Sequence, residues 1–409
     1  MAATRRIHRI FRGVLGESRL FAADGPGLAD HLDRFGELPS VTEGLIREVE
    51  SAGLSGRGGA GFPAGRKMAA VSGAKPTVVG NGAEGEPLSH KDVTLLTRAP
   101  HLVLDGLDAA ASALRADTVF LYVNHRASGA VNAALTERRS AGLDSRRVRV
   151  VVAPDRFVAG EESAAIRCVE GGPALPRDRA VRPAVCGVRG RPTLVSNVET
   201  LAHIALIARF GSGWFRSVGE PSDPGTMLLT LSGVLDWRVV EAPTGIPLAD
   251  LVSEVGCEPL RAVLLGGYHG TWVAADELGG ARLSRSALQP LGAAPGAGVV
   301  HGLGSSECGL GRTAEITGYL AEQSARQCGP CLNGLPRLAA LLDELAFGRA
   351  SDAVVGEIRR VTGLVAGRGS CRHPDGTARM IRSALLTFAG DVDSHGRGSC
   401  AAAGLPSPL

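Results

Sequence analysis

The 409-residue chain sets 44 basic residues against 41 acidic ones, a formal net charge of +3, which leaves no basic stripe of the kind nucleic-acid binding requires. With 44% apolar and 21% charged residues it reads as globular, not disordered, and no apolar run reaches the ~18–20 residues of a membrane helix. Only Lys67, Lys75 and Lys91 are lysines, all close to the most glycine-rich loop; arginine supplies every other cation.

The first 52 residues read as a helical arm. Ile7, Ile10, Phe11 and Leu15 fall at helical spacing, and a second helix near 41–51 opens with a capping pattern at Thr42 and ends at Gly53. The start is basic without a continuous apolar core, which is not the pattern of a secretory signal. From Gly53 to Met68 runs GLSGRGGAGFPAGRKM, whose glycines leave backbone amides free to approach an anion, with Arg57, Arg66 and Lys67 adding charge. It contains no GxxxxGK[ST], and it opens its domain instead of following a strand as a dinucleotide GxGxxG would.

Alternation then predicts strands at Thr77–Val79, Thr118–Val123 and Val148–Val152, with helices at Pro100–Arg115 and Gly129–Ala141 between them. Strands separated by helices of a dozen residues predict a parallel sheet over about 53–222, with ligands beyond the carboxyl ends of its strands. Asn81, Glu84 and Glu86 follow the first strand, Glu161 and Glu162 stand at a helix start after the third, and Ser196 and Asn197 occupy a turn before another helix. A capping role accounts for some of these polar residues and ligand contact for the others.

Residues 223–285 read as a small α+β module, 286–392 as a bundle of about four helices, and 393–409 as a tail of loop composition. Eight cysteines without an export signal do not suggest a disulfide scaffold; Cys168, Cys186, Cys257, Cys308 and Cys400 are scattered and read as small buried hydrophobes. Cys328 and Cys331 form a C-x2-C, with Cys371 forty residues on, a spacing at which thiolates grip one metal centre, either zinc or iron–sulfur.

Five ordered motifs, GRGGAGFPAGRK, NGAEGEPLSHKD, AGEESAAI, RPTLVSNVETL and CGPCLNG, resemble those of the flavin-containing, NADH-oxidising subunit of respiratory complex I and its related diaphorase subunits. The resemblance runs from about residue 40 to 390. It implies an α/β chain with an FMN-binding Rossmann-like parallel sheet, then a ubiquitin-like β-grasp (SLBB-type) module and a C-terminal helical bundle holding a [4Fe–4S] cluster. It implies an NADH dehydrogenase of the diaphorase type, taking hydride from NADH onto FMN and passing single electrons through the cluster to a ferredoxin-like or complex I-type subunit. A cytoplasmic place, peripheral to a membrane complex and without membrane insertion, follows from the same resemblance.

Carried over by motif, Gly56, Arg57, Gly58 and Lys67 would cradle the FMN phosphate and ribityl chain, with Ser196 and Asn197 returning to the phosphate. Asn81 and the catalytic pair Glu84 and Glu86 would lie along the flavin and nicotinamide, Glu161 and Glu162 near the flavin and dinucleotide ribose, and Phe62 on the adenine. Cys328, Cys331 and Cys371 match three of four cluster ligands.

The departures raise two competing readings. Ala325 stands where the family's C-x2-C-x2-C has its first cysteine, which implies a three-thiolate or [3Fe–4S] centre and suits a structural subunit without turnover. Ala70, Ala83, Phe157 and Arg182 replace polar or aromatic nucleotide contacts, which suits exchange with a ferredoxin-type partner without NADH. Arg179 and Arg182 would offset part of that loss by pairing with a pyrophosphate.

Overall fold

The computed structural model describes residues 17–144, 146–178, 181–233, 236–253, 259–348, 350–400 and 402. The expected helix through Ile7, Ile10, Phe11 and Leu15 lies outside the described residues, as do Arg179 and Cys257. After α1 (Leu28–Phe35), the helix expected near 41–51 is α2 (Gly44–Ala52), closed by Gly53 in the left-handed region at φ +70°. The glycine-rich loop then leads into α3 (Ala64–Ala69).

The α/β unit runs β1 (Thr77–Gly82), α4 (Lys91–Arg98), α5 (Pro100–Ala113), β2 (Thr118–Asn124), α6 (His125–Ser140), β3 (Val148–Ala153), α7 (Glu162–Val169), β4 (Thr193–Asn197) and α8 (Val198–Phe215). Its four strands are all parallel, in the order β3-β2-β1-β4. The chain steps outward from β1 to β2 and β3, then returns to the opposite side of β1 as β4. That reversal opens a crevice beyond the carboxyl ends of β1 and β4, where open α/β sheets bind ligands. Register places Gly80 beside Ser196 and Asn81 beside Asn197 at its mouth.

Packing around the sheet explains why it is rigid there. Gly106 of α5 lies so close to α8 that a Cβ would fall 1.8 Å from the Leu201 carbonyl oxygen. Beside it, Asp105 is buried and gathers three other helices: it meets His31 of α1 at 2.8 Å, Arg138 of α6 at 2.8 Å and Arg209 of α8 at 2.5 Å. Burial works against its charge, yet the His31 hydrogen bond and the two guanidinium groups hold its carboxyl down to about 2.

A two-residue hairpin, β5 (Gly219–Glu220) and β6 (Asp223–Pro224), leads to a second sheet. Its strands are β7 (Thr226–Ser232), β8 (Arg238–Pro243), β9 (Leu260–Leu265), β10 (Thr271–Ala274) and β11 (Val299–Gly304), ordered β10-β9-β11-β7-β8. The middle strand β11 is antiparallel to β9 and parallel to β7. This strand falls in the stretch read from the sequence as the start of the bundle at 286; two glycines in VVHGLG weaken its strand pattern, but pairing on both sides makes it the sheet's centre.

The bundle follows as α9 (Gly309–Glu322), a π-helical turn at Pro330–Gly334, α10 (Leu335–Phe347), α11 (Asp352–Val365), α12 (His373–Thr387) and α13 (Ala389–Gly396). Its core is built from Leu310, Leu335, Leu338, Ile358 and Ile381, and reaches Trp272 of the second sheet, which packs edge-on against Phe388. Among the described residues no helix is long and apolar enough to cross a membrane.

Replacing Asp105 by alanine would leave the buried Arg209 guanidinium without a carboxylate and Arg138 with Asp144 alone. Such loss costs about 3–5 kcal/mol, and chemical denaturation of Asp105→Ala against the parent chain should show it as a lowered midpoint.

Candidate cofactor cavity and thiol centre

The crevice at β1 and β4 widens into a cavity of about 850 Å³, within the ~300–1,000 Å³ of small-molecule sites. Its floor is the glycine-rich loop. Gly56 N–H donates to the Phe62 carbonyl at 2.9 Å, closing the loop on itself, and Arg57 N–H donates to Thr200 Oγ1 at 2.9 Å, pinning it to α8. A Cβ on Gly58 would stand 3.2 Å from that of Asn197, so the loop backbone passes directly over the start of α8. That helix start carries partial positive charge and free amides suited to a phosphate.

Polar side chains converge on this floor from several elements. Asn81 at the end of β1 donates to the Gly160 carbonyl at 2.9 Å and accepts from Ala83 N–H at 3.2 Å. Asn197 caps α8 by accepting from Glu199 N–H at 3.0 Å, and its amide donates to Asp92 at 2.7 Å and to the Asn81 carbonyl at 3.3 Å. Ser196 lines the cavity beside it. The Lys67 ammonium lies 2.7 Å from Glu162 and still has donors to spare for a phosphate oxygen. Glu161 caps α7, accepting from Ser163 N–H at 2.9 Å and Ala164 N–H at 3.1 Å. Phe62, 51% exposed, offers its ring at the rim.

Two expected contacts are placed differently. The Arg57 guanidinium is buried and turned onto Asp223 at 3.4 Å and the Pro224 carbonyl at 3.2 Å, so the side chain braces the loop from behind. Glu84, expected to be catalytic, caps α4: it accepts from Asp92 N–H, Val93 N–H and Ser89 Oγ, each at 2.8 Å, and does not line the main cavity. Its left-handed backbone, φ +43°, turns the chain back for this contact. Glu86 does line the cavity and accepts from Tyr268 N–H at 2.9 Å and Leu88 N–H at 3.3 Å. A Cβ on Gly267 would intrude within 2.6 Å of that carboxylate, so this approach of the second sheet depends on glycine. Burial pushes both carboxyl groups up to about 7, with Asp92 adding to the effect at Glu84.

The second sheet and the bundle supply walls that the sequence did not reveal. Arg285, Arg372 and Arg379 also line the cavity, Arg285 lying against the glycine loop and donating to the Gly59 carbonyl at 3.4 Å. Such guanidinium groups suit phosphate oxygens of a dinucleotide. In a chain where arginine supplies nearly every cation, nothing local distinguishes these three. Arg182 is exposed and does not line the cavity.

Between the cavity and the thiols lies a packed septum. Phe157 meets His269 edge-on at 4.6 Å and His373 at 5.5 Å between centroids, and His269 Nε2 and His373 Nδ1 are 3.1 Å apart. His373 Nε2 is 2.7 Å from the Leu320 carbonyl, so both its nitrogens are engaged and neither is free to ligate a metal. Burial holds both imidazoles below their usual range.

Two residues before His373, buried Cys371 sits near the pair Cys328 and Cys331 at the π-helical turn. Burial and then the neighbouring Cys328 and Cys371 thiols push Cys331 up to about 12, so the three sulfurs lie close together. Three sulfurs therefore fit an iron–sulfur centre, while Ala325 supplies none at the fourth position and Cys308 is engaged elsewhere, 3.4 Å from His395.

Fold and site together define a nucleotide-binding flavoprotein class with an attached thiolate metal centre. Residues 49–206 match the Nuo51 FMN-binding domain and residues 311–395 the NADH-ubiquinone oxidoreductase-F iron-sulfur binding region. The second of two NADH-quinone oxidoreductase F subunits in Rhizobium meliloti is 31% identical over 86% of this chain and 88% of its own. The NADH-quinone oxidoreductase F subunit of Mycobacterium tuberculosis H37Rv is 31% identical over 87% of this chain and 85% of its own. Among solved structures, the NAD+-reducing [NiFe]-hydrogenase in its H2-reduced state matches with TM-score 0.79 and 28% identity over 86% of this chain, which spans 62% of that longer chain. The chain belongs to the family of NADH-quinone oxidoreductase F subunits.

Glu86 generates a pH dependence. Its folded value of about 7 lies above the ordinary 4.5, so the stability its protonation contributes is complete below 4.5 and lost as pH rises through about 7. The melting temperature of flavin-free protein should fall over that range, and the fall should be smaller in Glu86→Gln.

Proposed function

We propose that this chain is the NADH-oxidising, electron-distributing subunit of a larger redox assembly, with FMN in the cavity and an iron–sulfur cluster on the Cys328, Cys331 and Cys371 thiols. When bound, FMN accepts a hydride as two electrons and the cluster carries them away singly. The observation that carries this reading is the run of contacts from the cavity through Phe157 and His269 to His373, two residues along the chain from Cys371.

Each residue's part follows from where it stands. Gly58 and the start of α8 offer backbone amides to the FMN phosphate, Gly56 holds the loop closed around it through the Phe62 carbonyl, and Lys67 adds one ammonium contact. Asn81, Ser196 and Asn197 position the ribityl chain and ring edge. Glu86, Glu161 and Glu162 address the hydroxyls of the dinucleotide ribose, while Phe62 and the three cavity arginines hold its adenine and pyrophosphate ends. Those arginines offset the aromatic contacts missing at Ala70 and Arg182, which favours a nicotinamide donor over a donor protein alone. Glu84 acts by positioning α4. The septum keeps water and extra charge out of the space between cavity and thiols.

The partner receives electrons at the bundle face beside Cys328, where Leu332 is 54% exposed. A redox subunit of the complex I or hydrogenase type, carrying its own one-electron centre, fits that face. Attachment to an assembly of the complex I type would place the chain peripheral to a membrane complex.

Anaerobic addition of NADH to flavin- and iron-loaded protein should bleach the flavin absorbance, and a flavin that stays oxidised would overturn the donor assignment. Lys67→Ala should raise the FMN dissociation constant about 10- to 100-fold, the weight of one charge-assisted hydrogen bond, as read by flavin fluorescence titration.

A further inference from the structure

Three donor atoms meet away from the cavity and apart from the Cys328, Cys331 and Cys371 set. Cys308 is the N-cap of α9, its sulfur accepting from Gly311 N–H at 3.4 Å. His395 lies in the last turn of α13 and Cys400 just beyond that helix. Cys308 Sγ is 3.4 Å from His395 Nε2, and the ligand atoms of all three residues lie within 4.8 Å of one another. His395 is buried and the two cysteines half-buried.

The Cys308–His395 separation is that of a tetrahedral site, and the third donor lies within 4.8 Å of both. With Zn–S of about 2.3 Å and Zn–N of about 2.0–2.1 Å, ligand atoms around zinc stand roughly 3.4–3.8 Å apart. Two thiolates and an imidazole are the donor set that selects a borderline-soft ion such as Zn2+ over Mg2+ or Ca2+.

A second observation points the same way. Asp391 stands one helical turn before His395, on the same face of α13. Its Oδ1 accepts from Arg261 at 2.5 Å, and Arg261 also donates to the carbonyl of Glu307, the neighbour of Cys308, at 2.7 Å. The other carboxylate oxygen, Oδ2, is buried with no hydrogen-bond partner. A buried acceptor left over one helical turn from His395 is what a water on a bound cation would satisfy.

We propose that Cys308, His395 and Cys400 bind a zinc-type divalent ion, with Asp391 as the oxygen acceptor behind it. Both thiols lose their protons to solvent as the ion binds, and no electron is transferred. The ion joins the first helix of the bundle to its last, enclosing the whole segment that carries the cluster cysteines. Cys308 is thereby committed to this site and is not the missing fourth cluster ligand.

The test is metal analysis of the full chain, purified anaerobically with its iron centre loaded and then exposed to Zn2+ under reductant. Wild-type protein should retain one zinc per chain through desalting; Cys308→Ser and Cys400→Ser should lose it with iron content unchanged. Should the serine variants fail to fold, Co2+ titration of the wild-type chain gives an independent reading, through thiolate-to-cobalt absorption that His395→Asn weakens. Retention of no zinc by the wild type overturns the proposal. So does loss of iron in Cys308→Ser, which would make Cys308 a cluster ligand, or a Cys308–Cys400 disulfide found by mass spectrometry in the zinc-treated, reduced protein.

Discussion

The cavity floor depends on one buried cation. The Lys91 ammonium has almost no exposure and lies 2.7 Å from Asp92 and 2.9 Å from Glu199. Burial alone would strip its proton, but the two carboxylates raise its pKa and hold it charged. Each carboxylate then makes a second contact: Asp92 accepts from the Asn197 amide at 2.7 Å, and Glu199 from Leu228 N–H of β7 at 2.8 Å. One ammonium thus fixes α4, the cap of α8 and strand β7 of the second sheet at the spot where β1 and β4 part. A buried charge is tenable only when fully paired, so these elements hold their positions together or not at all.

The carboxylates of Glu84 and Glu86, two residues apart, divide the work. Glu84 turns inward through a left-handed backbone to cap the helix that carries Lys91, while Glu86 reaches across to the main chain of the second sheet at Tyr268. The first sheet, the second sheet and the bundle meet round one cavity because of such long-range contacts, several of them spanning more than a hundred residues of chain.

Much of this was legible in the amino-acid order. Strands β1, β2 and β3 and helices α5 and α6 follow from apolar alternation, and the motif resemblance pointed to the glycine loop, Asn81, Glu86 and Asn197, which line one cavity, and to three thiols that lie close together. What stayed hidden has physical causes. Strand β4 is five residues long and runs straight into a capped helix, so it reads as a turn. The roles of Arg57 and Glu84 are set by partners far away or by an unusual φ, neither of which residue type reveals. Cys308 and Cys400 looked like isolated thiols because the helices that bring them together are separated by the whole bundle.

The position of β11 bears on how the chain is made. It pairs with β9 and with β7, yet it is the last strand to emerge during synthesis. Until Gly304 has left the ribosome, β7 and β9 have no common neighbour, and their inward edges are open templates for pairing with other chains. The α/β unit has all four of its strands by Asn197 and can condense earlier. Gly266 and Ala297, which face the cavity from the second sheet and its loops, reach their places only after that delay. A nascent chain therefore carries a half-built cofactor pocket for about a hundred residues of elongation, on the order of 5–20 s at bacterial-to-eukaryotic synthesis rates, and loading of cofactor belongs after release of the central strand.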